Sequence, residues 1–79
     1  MDKKEKLLGK AKNSATNYKF SDLIKLAELC GFEISRKKGS HVMMKHEANG
    51  LFKNFQNVNG DAKPYQLKQL LNDIDEYNL

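Results

Sequence analysis

The sequence predicts an α+β domain of element order α-β-β-β-α, in which a three-stranded antiparallel sheet packs on two helices and a short extra helix stands in front. Three observations lead there. Apolar residues recur at helical spacing in two stretches, one beginning at Phe20 and one beyond Pro64. Between them lie runs rich in strand-forming residues, punctuated by Gly39 and by Asn59-Gly60. Finally, 79 residues with 39% hydrophobic content bury one modest core, which suits a single two-layer domain.

The first element is a short helix over Lys3 to Lys12, where good helix formers carry Leu7, Leu8 and Ala11 as a narrow apolar stripe. The polar run Asn13-Ser14-Ala15-Thr16-Asn17 reads as a loop, because its side chains compete for backbone hydrogen bonds. Residues 1–18 are therefore expected to be an N-terminal extension and residues 19–79 the main domain. From Phe20, the positions Leu23, Ile24, Ala27 and Cys30 keep the helical period, with Ser21 and Asp22 in the dipole-favoured first turn. Gly31 follows as a left-handed C-terminal cap, and Phe32 folds back on the last turn.

Phe32-Glu33-Ile34-Ser35-Arg36 alternates apolar and polar residues, and Ser40 to His46 pairs with it as a hairpin across Lys37-Lys38-Gly39. Leu51 to Val58 lacks strict alternation, so a third strand with a bulge is expected. Asn59-Gly60-Asp61 breaks the chain, and Pro64 sits where a helix begins and its missing N–H costs nothing. Leu67, Leu70, Leu71, Ile74 and Tyr77 then line one face of the closing helix. With both helices on one side of the sheet, the other side is left for a ligand.

Composition narrows the partner class. The single cysteine, Cys30, permits no intramolecular disulfide, which fits a reducing, cytoplasmic setting. The start Met-Asp-Lys-Lys-Glu-Lys lacks the apolar run of a signal peptide, and no stretch approaches the ~20 apolar residues that cross a bilayer, so a soluble protein is expected. The formal charge of +4 is uneven: residues 1 to 60 hold 12 Lys/Arg against 6 Asp/Glu, and residues 61 to 79 hold 2 against 4. A basic face over the first three quarters favours a polyanion such as nucleic acid.

The densest polar feature is Arg36-Lys37-Lys38-Gly39-Ser40-His41, three cations and a hydroxyl leading into a histidine at the start of a strand. On that strand His41, Met43 and Lys45 point to one side, and Val42, Met44 and His46 to the other. RNA carries its own nucleophile, the 2′-hydroxyl, so a base that removes its proton beside cations that stabilise the phosphate suffices for cleavage. Imidazole, with an ordinary pKa near ~6.5, suits that work at neutral pH. A solvated hairpin with a surface histidine accounts for the same residue types, as does an RNA-binding surface without chemistry or a module for a protein partner.

A metal site is not expected, because His41 and His46 project from opposite strand faces and no Cys or carboxylate stands at ligand spacing. Cys30 reads as a core residue, and Met43 and Met44 as strand packing. Arg36, Lys37, Lys38, Lys45 and Lys53 are each ordinary solvated charges taken singly, and as a group flanking His41 they suggest phosphate contacts. Tyr65 could cover the sheet edge or stack on a base, and packing is the favoured reading.

Gly31-Phe32, Arg36 and above all Gly39-Ser40-His41 in a strand-turn-strand setting resemble the HicA (YcfA-like) messenger-RNA interferase family of toxin–antitoxin systems. The resemblance runs from about Phe20 to Tyr77, and Ala62-Lys63-Pro64-Tyr65-Gln66-Leu67-Lys68-Gln69-Leu70 is similar to the closing helix of a longer branch. It implies a double-stranded-RNA-binding-like fold, an endoribonuclease that needs no cofactor, and His41 as the catalytic residue. Arg36, Lys37, Lys38, Gly39, Ser40 and Lys45 then fall to RNA binding, with mRNA as substrate and a HicB-type antitoxin as partner. One departure stands out: many shorter family members carry another histidine after the third strand, where this chain reads Gln56-Asn57-Val58-Asn59-Gly60, so a two-histidine mechanism is not supported.

Overall fold

A computed structural model describes residues 2–13 and 17–79. Helix α1 spans Lys3–Asn13 and α2 Phe20–Leu29. Strands β1 (Glu33–Lys38), β2 (His41–His46), β3 (Leu51–Val58) and β4 (Asp61–Ala62) follow, with one 3-10 turn at Glu47–Asn49, and α3 (Pro64–Tyr77) closes the chain. The strands form one antiparallel sheet in the order β1-β2-β3-β4. This is the α+β architecture and helix–strand order expected, with one short strand added. The expected loop at 13–17 lies partly outside the described residues, and Asn13 itself ends α1.

The core forms between the helices and one face of the sheet. Helix α2 contributes Phe20, Leu23, Leu26 and Ala27, α3 contributes Leu67, Leu70 and Ile74, and the sheet contributes Met44 and Phe55, all buried. Leu7 and Ala11 of α1 join the same cluster, and the Tyr18 hydroxyl donates to the Leu7 carbonyl at 3.0 Å. Tyr77, expected on the apolar stripe of α3, is instead 40% exposed in its last turn.

Gly31 closes α2 as expected. Its φ is +98°, its N–H bonds to the Glu28 carbonyl, and the Phe32 N–H bonds to the Ala27 carbonyl, the paired bonds of a Schellman cap. Space also demands glycine here, since a Cβ would lie 2.8 Å from the His46 ring, itself packed edge-on to Phe32.

Three local features depart from the sequence reading. The β1–β2 turn is Gly39-Ser40 alone, because Lys37 and Lys38 are paired strand residues opposite Val42 and His41. Gly39 has φ +58° and Ser40 does not share that sign, so glycine occupies the position that a type II′ hairpin turn requires. The bulge lies in β1 between Ile34 and Arg36, whereas β3 pairs with β2 without interruption from Leu51↔His46 to Gln56↔His41. The irregular polarity of β3 has a different cause: Lys53 turns toward the helices to pair with Asp73, and Phe52 turns away from them at 61% exposure.

The third feature is β4. Asn59 and Gly60 both have positive φ, +53° and +91°, which makes them a tight hairpin turn between β3 and β4 rather than a plain break before α3. Strand β4 ties the start of α2 to the sheet through Ala62 N–H to the Tyr18 carbonyl at 2.8 Å and Phe20 N–H to the Gly60 carbonyl at 2.9 Å.

Candidate active site on the open face of the sheet

Strand alternation and the register together decide which side chains meet. Val42, Met44 and His46 of β2 face the helices, which leaves His41, Met43 and Lys45 on the open side. Residues directly opposite in an antiparallel ladder share a face, so the open side carries three rows. Lys38, His41 and Gln56 make one row; Arg36, Met43 and Asn54 the next; Glu33, Lys45 and Phe52 the third.

The β1 bulge sets this grouping. Ile34 pairs with Met44 on the helix side, so in an unbroken strand Arg36 would share that side. The extra residue, Ser35, rephases the strand, and Arg36 and Lys38 come round to the face of His41. The Ser35 hydroxyl donates to the Met43 carbonyl at 3.3 Å, across the irregularity. Lys37 pairs with Val42 and projects to the opposite side from His41.

His41 is half-buried at the edge of a shallow hollow lined by Lys38, Gly39, Ser40, His41, Met43 and Asn54. Its Nδ1 lies 3.0 Å from Asn54 Oδ1, on the neighbouring strand. A carboxamide oxygen accepts only, so in this arrangement Nδ1 carries the proton and the ring's lone pair is on Nε2. The Ser40 carbonyl accepts from the Asn57 N–H at 2.8 Å, which fastens the turn beside His41 to β3.

Asn54 is in turn fixed from behind. Gln66, a buried polar side chain of α3, donates from Nε2 to the Asn54 carbonyl and accepts at Oε1 from the Gln56 N–H, both at 2.9 Å. The side chain serves β3 as a further strand would, and it sets the height of Asn54 relative to α3.

The cations suggested by sequence therefore divide. Arg36 and Lys38 share the face of His41, and Gly39 and Ser40 form its rim. Lys45 shares the face but lies four residues along β2, roughly 13 Å away by strand rise. It is ion-paired with Glu47 at 2.9 Å; that hydrogen bond and charge hold Lys45 above its ordinary value and Glu47 below its own. Lys37 projects to the other side, and Lys53 belongs to the helix-facing pair with Asp73. Of the five cations, Lys38 stands in the row of His41 and Arg36 in the next row of the same face.

Cys30 is buried, and burial pushes its thiol pKa up, as befits packing rather than nucleophilic work. Among the described residues no three His, Cys, Asp or Glu side chains gather as a metal site. Tyr65 is 56% exposed, with Lys63 Nζ 5.7 Å from its ring centroid, so the expected packing is not observed. Asn54 and Gln66 are the contributors that sequence reading missed. Asn54 needed the β3 register, and the only trace of Gln66 is a polar residue next to Leu67 on the buried side of α3.

The family described as "HicA toxin of bacterial toxin-antitoxin" has a model that matches residues 20–75, from the start of α2 into the last turns of α3. No curated protein and no solved structure matches the chain.

Proposed function

Because the chain belongs to the family of HicA toxins of bacterial toxin–antitoxin systems, we propose that it is an endoribonuclease, an mRNA interferase that arrests growth by cutting RNA on the open face of its sheet. The observation that carries this reading is the His41–Asn54 bond, which leaves the imidazole lone pair on Nε2 at a hollow that Lys38 lines, with Arg36 in the next row of the same face. His41 Nε2 removes the proton from a ribose 2′-hydroxyl, and the oxygen attacks the adjacent phosphorus. The bond to the 5′-oxygen breaks, that oxygen takes a proton from water, and the products are a 2′,3′-cyclic phosphate and a 5′-hydroxyl end. Arg36 and Lys38 stabilise the charge that builds on the phosphate.

A single positioned base contributes about 10²- to 10⁴-fold. With no second histidine in the hollow, the enzyme is slow and depends on positioning. RNA lies along the three rows of the open face, with Phe52 as a surface on which an unpaired base stacks. We assign cutting to residues 19–79 and read residues 1–18 as an extension whose helix α1 packs on this domain. A HicB-type antitoxin is the cognate partner, covering the open face, and the cytoplasm is where both partners and the mRNA meet. No helix among the described residues is long and apolar enough to cross a membrane.

The test uses folded wild-type protein and His41→Ala with a long single-stranded RNA in EDTA, followed by analysis of the fragment ends. Cleavage by wild type alone with cyclic phosphate ends is the expected result. Equal cleavage by both would remove His41 from the chemistry. An RNA mobility shift without cleavage would make the domain a binder.

A further inference from the structure

We infer that Asn54, held at its height by Gln66, is the positioning residue that fixes the tautomer and ring orientation of His41. The inference rests on the nuclease reading for its kinetic consequence, while its structural content concerns the imidazole alone. A neutral histidine has two tautomers, and only the one with the proton on Nδ1 presents a lone pair at Nε2. The Asn54 carboxamide oxygen, 3.0 Å from Nδ1, selects that form by accepting its proton. Asn54 and His41 sit on a diagonal of the β2–β3 ladder, since His41 pairs directly with Gln56.

The diagonal contact is only as good as the placement of β3, and Gln66 secures that placement. Beyond Asn57 and Val58, which pair with β4, the outer edge of β3 has no strand partner among the described residues. The Asn54 carbonyl and the Gln56 N–H on that edge are bonded instead by the two ends of one carboxamide. Unbonded, a partly buried carbonyl and N–H would draw in water and let β3 shift. One hydrogen-bonded line thus runs from α3 through Gln66 and the Asn54 peptide to the Asn54 side chain and His41. A carboxamide rather than a carboxylate at position 54 accepts the Nδ1 proton without placing a negative charge beside the ring.

Two measurements test this on wild type, Asn54→Ala, Asn54→Asp and Gln66→Glu. The first is nitrogen NMR of the His41 ring, which reads the tautomer whether or not the protein cuts RNA. Wild type should hold the Nδ1–H form, and Asn54→Ala, an exposed substitution that leaves the core alone, should give mixed tautomers. The second is the pH profile of RNA cleavage. Asn54→Ala should lower kcat by roughly 10- to 100-fold with little change in KM, as misplacement of a reacting group does. Asn54→Asp should keep activity at alkaline pH while its acid limb moves to higher pH, because a carboxylate stabilises the protonated ring. Gln66→Glu keeps the acceptor for Gln56 but removes the donor to Asn54, and should fall between wild type and Asn54→Ala.

An Asn54→Ala protein with the wild-type tautomer and wild-type kcat would overturn the inference. So would equal losses in Asn54→Ala and Asn54→Asp with an unmoved pH profile. A wild-type protein that holds the Nδ1–H form and cuts no RNA would overturn the nuclease reading and leave the Asn54 assignment standing.

Discussion

The two faces of the sheet are made from alternate residues of the same strands, yet they obey different rules. On the covered face, Met44 and Phe55 are buried, His46 packs against Phe32, and the inward-directed charge of Lys53 meets Asp73 of α3. On the open face, His41, Met43, Asn54 and Phe52 keep their contacts with water. Hydrophobic burial fixes the first set, and it thereby fixes the second, because a one-residue slip would exchange the two. The arrangement on the open face is a by-product of core packing, refined by one bulge in β1 and one glutamine in α3.

The largest expected effect separates the faces by exchanging stability for binding. Met44→Ala removes a fully buried side chain and should cost about 2–5 kcal/mol in denaturant unfolding, a large part of what so small a domain has. Phe52→Ala removes an aromatic that is already 61% in solvent, and should leave the unfolding midpoint nearly unchanged. If bases stack there, it should raise KM for RNA by about tenfold, since one stack is worth ~1–3 kcal/mol. A reversal of the two effects would mean that the faces have been assigned the wrong way round.

How much of this division could be read in the sequence follows from the same physics. The helices, the Gly31 cap and the alternation of β2 were legible because each is set by local spacing or by one backbone angle. The bulge was misplaced because Phe52 and Lys53 break the polarity of β3, and sequence cannot tell a swapped polarity from a swapped register. Strand β4 was missed although Asn59-Gly60 is a strong hairpin signal, since a strand of two residues has no periodicity to read. The cluster around His41 was overfilled for a related reason: neighbours in sequence, such as Lys37 and Lys38, lie on opposite faces of a strand. Asn54 and Gln66 act through long-range bonds that neither spacing nor composition encodes.

A second effect belongs to the covered side alone. Burial pushes the Tyr18 hydroxyl up to about 12, against a model-compound value of 10.0. The folded protein therefore keeps a proton that the unfolded chain begins to lose near pH 10. The stability tied to this group is complete below that pH and is lost as pH rises toward about 12, by roughly 2–3 kcal/mol over the window. Unfolding midpoints between pH 9 and 12 should fall more steeply for wild type than for Tyr18→Phe, which lacks the titrating group but also the bond to Leu7. Parallel curves for the two proteins would show that Tyr18 reaches solvent freely.

The smallest expected effect tests the open face most sharply, because it compares adjacent residues of the same type. Lys38 stands in the row of His41, while Lys37 stands opposite Val42 on the other side. In the RNA-cutting reading, Lys38→Gln should weaken RNA binding by about fivefold and flatten the dependence of log affinity on log salt by about 0.7, the share of one neutralised phosphate on a single strand. Lys37→Gln removes the same formal charge from the same hairpin and should change the slope far less. Equal changes would mean that RNA responds to the hairpin's net charge and not to one face. A difference in the expected direction would tie the binding surface to the rephasing at Ser35, because with Ser35 paired regularly in the ladder Arg36 would share the side of Ile34 and leave His41 with fewer cations.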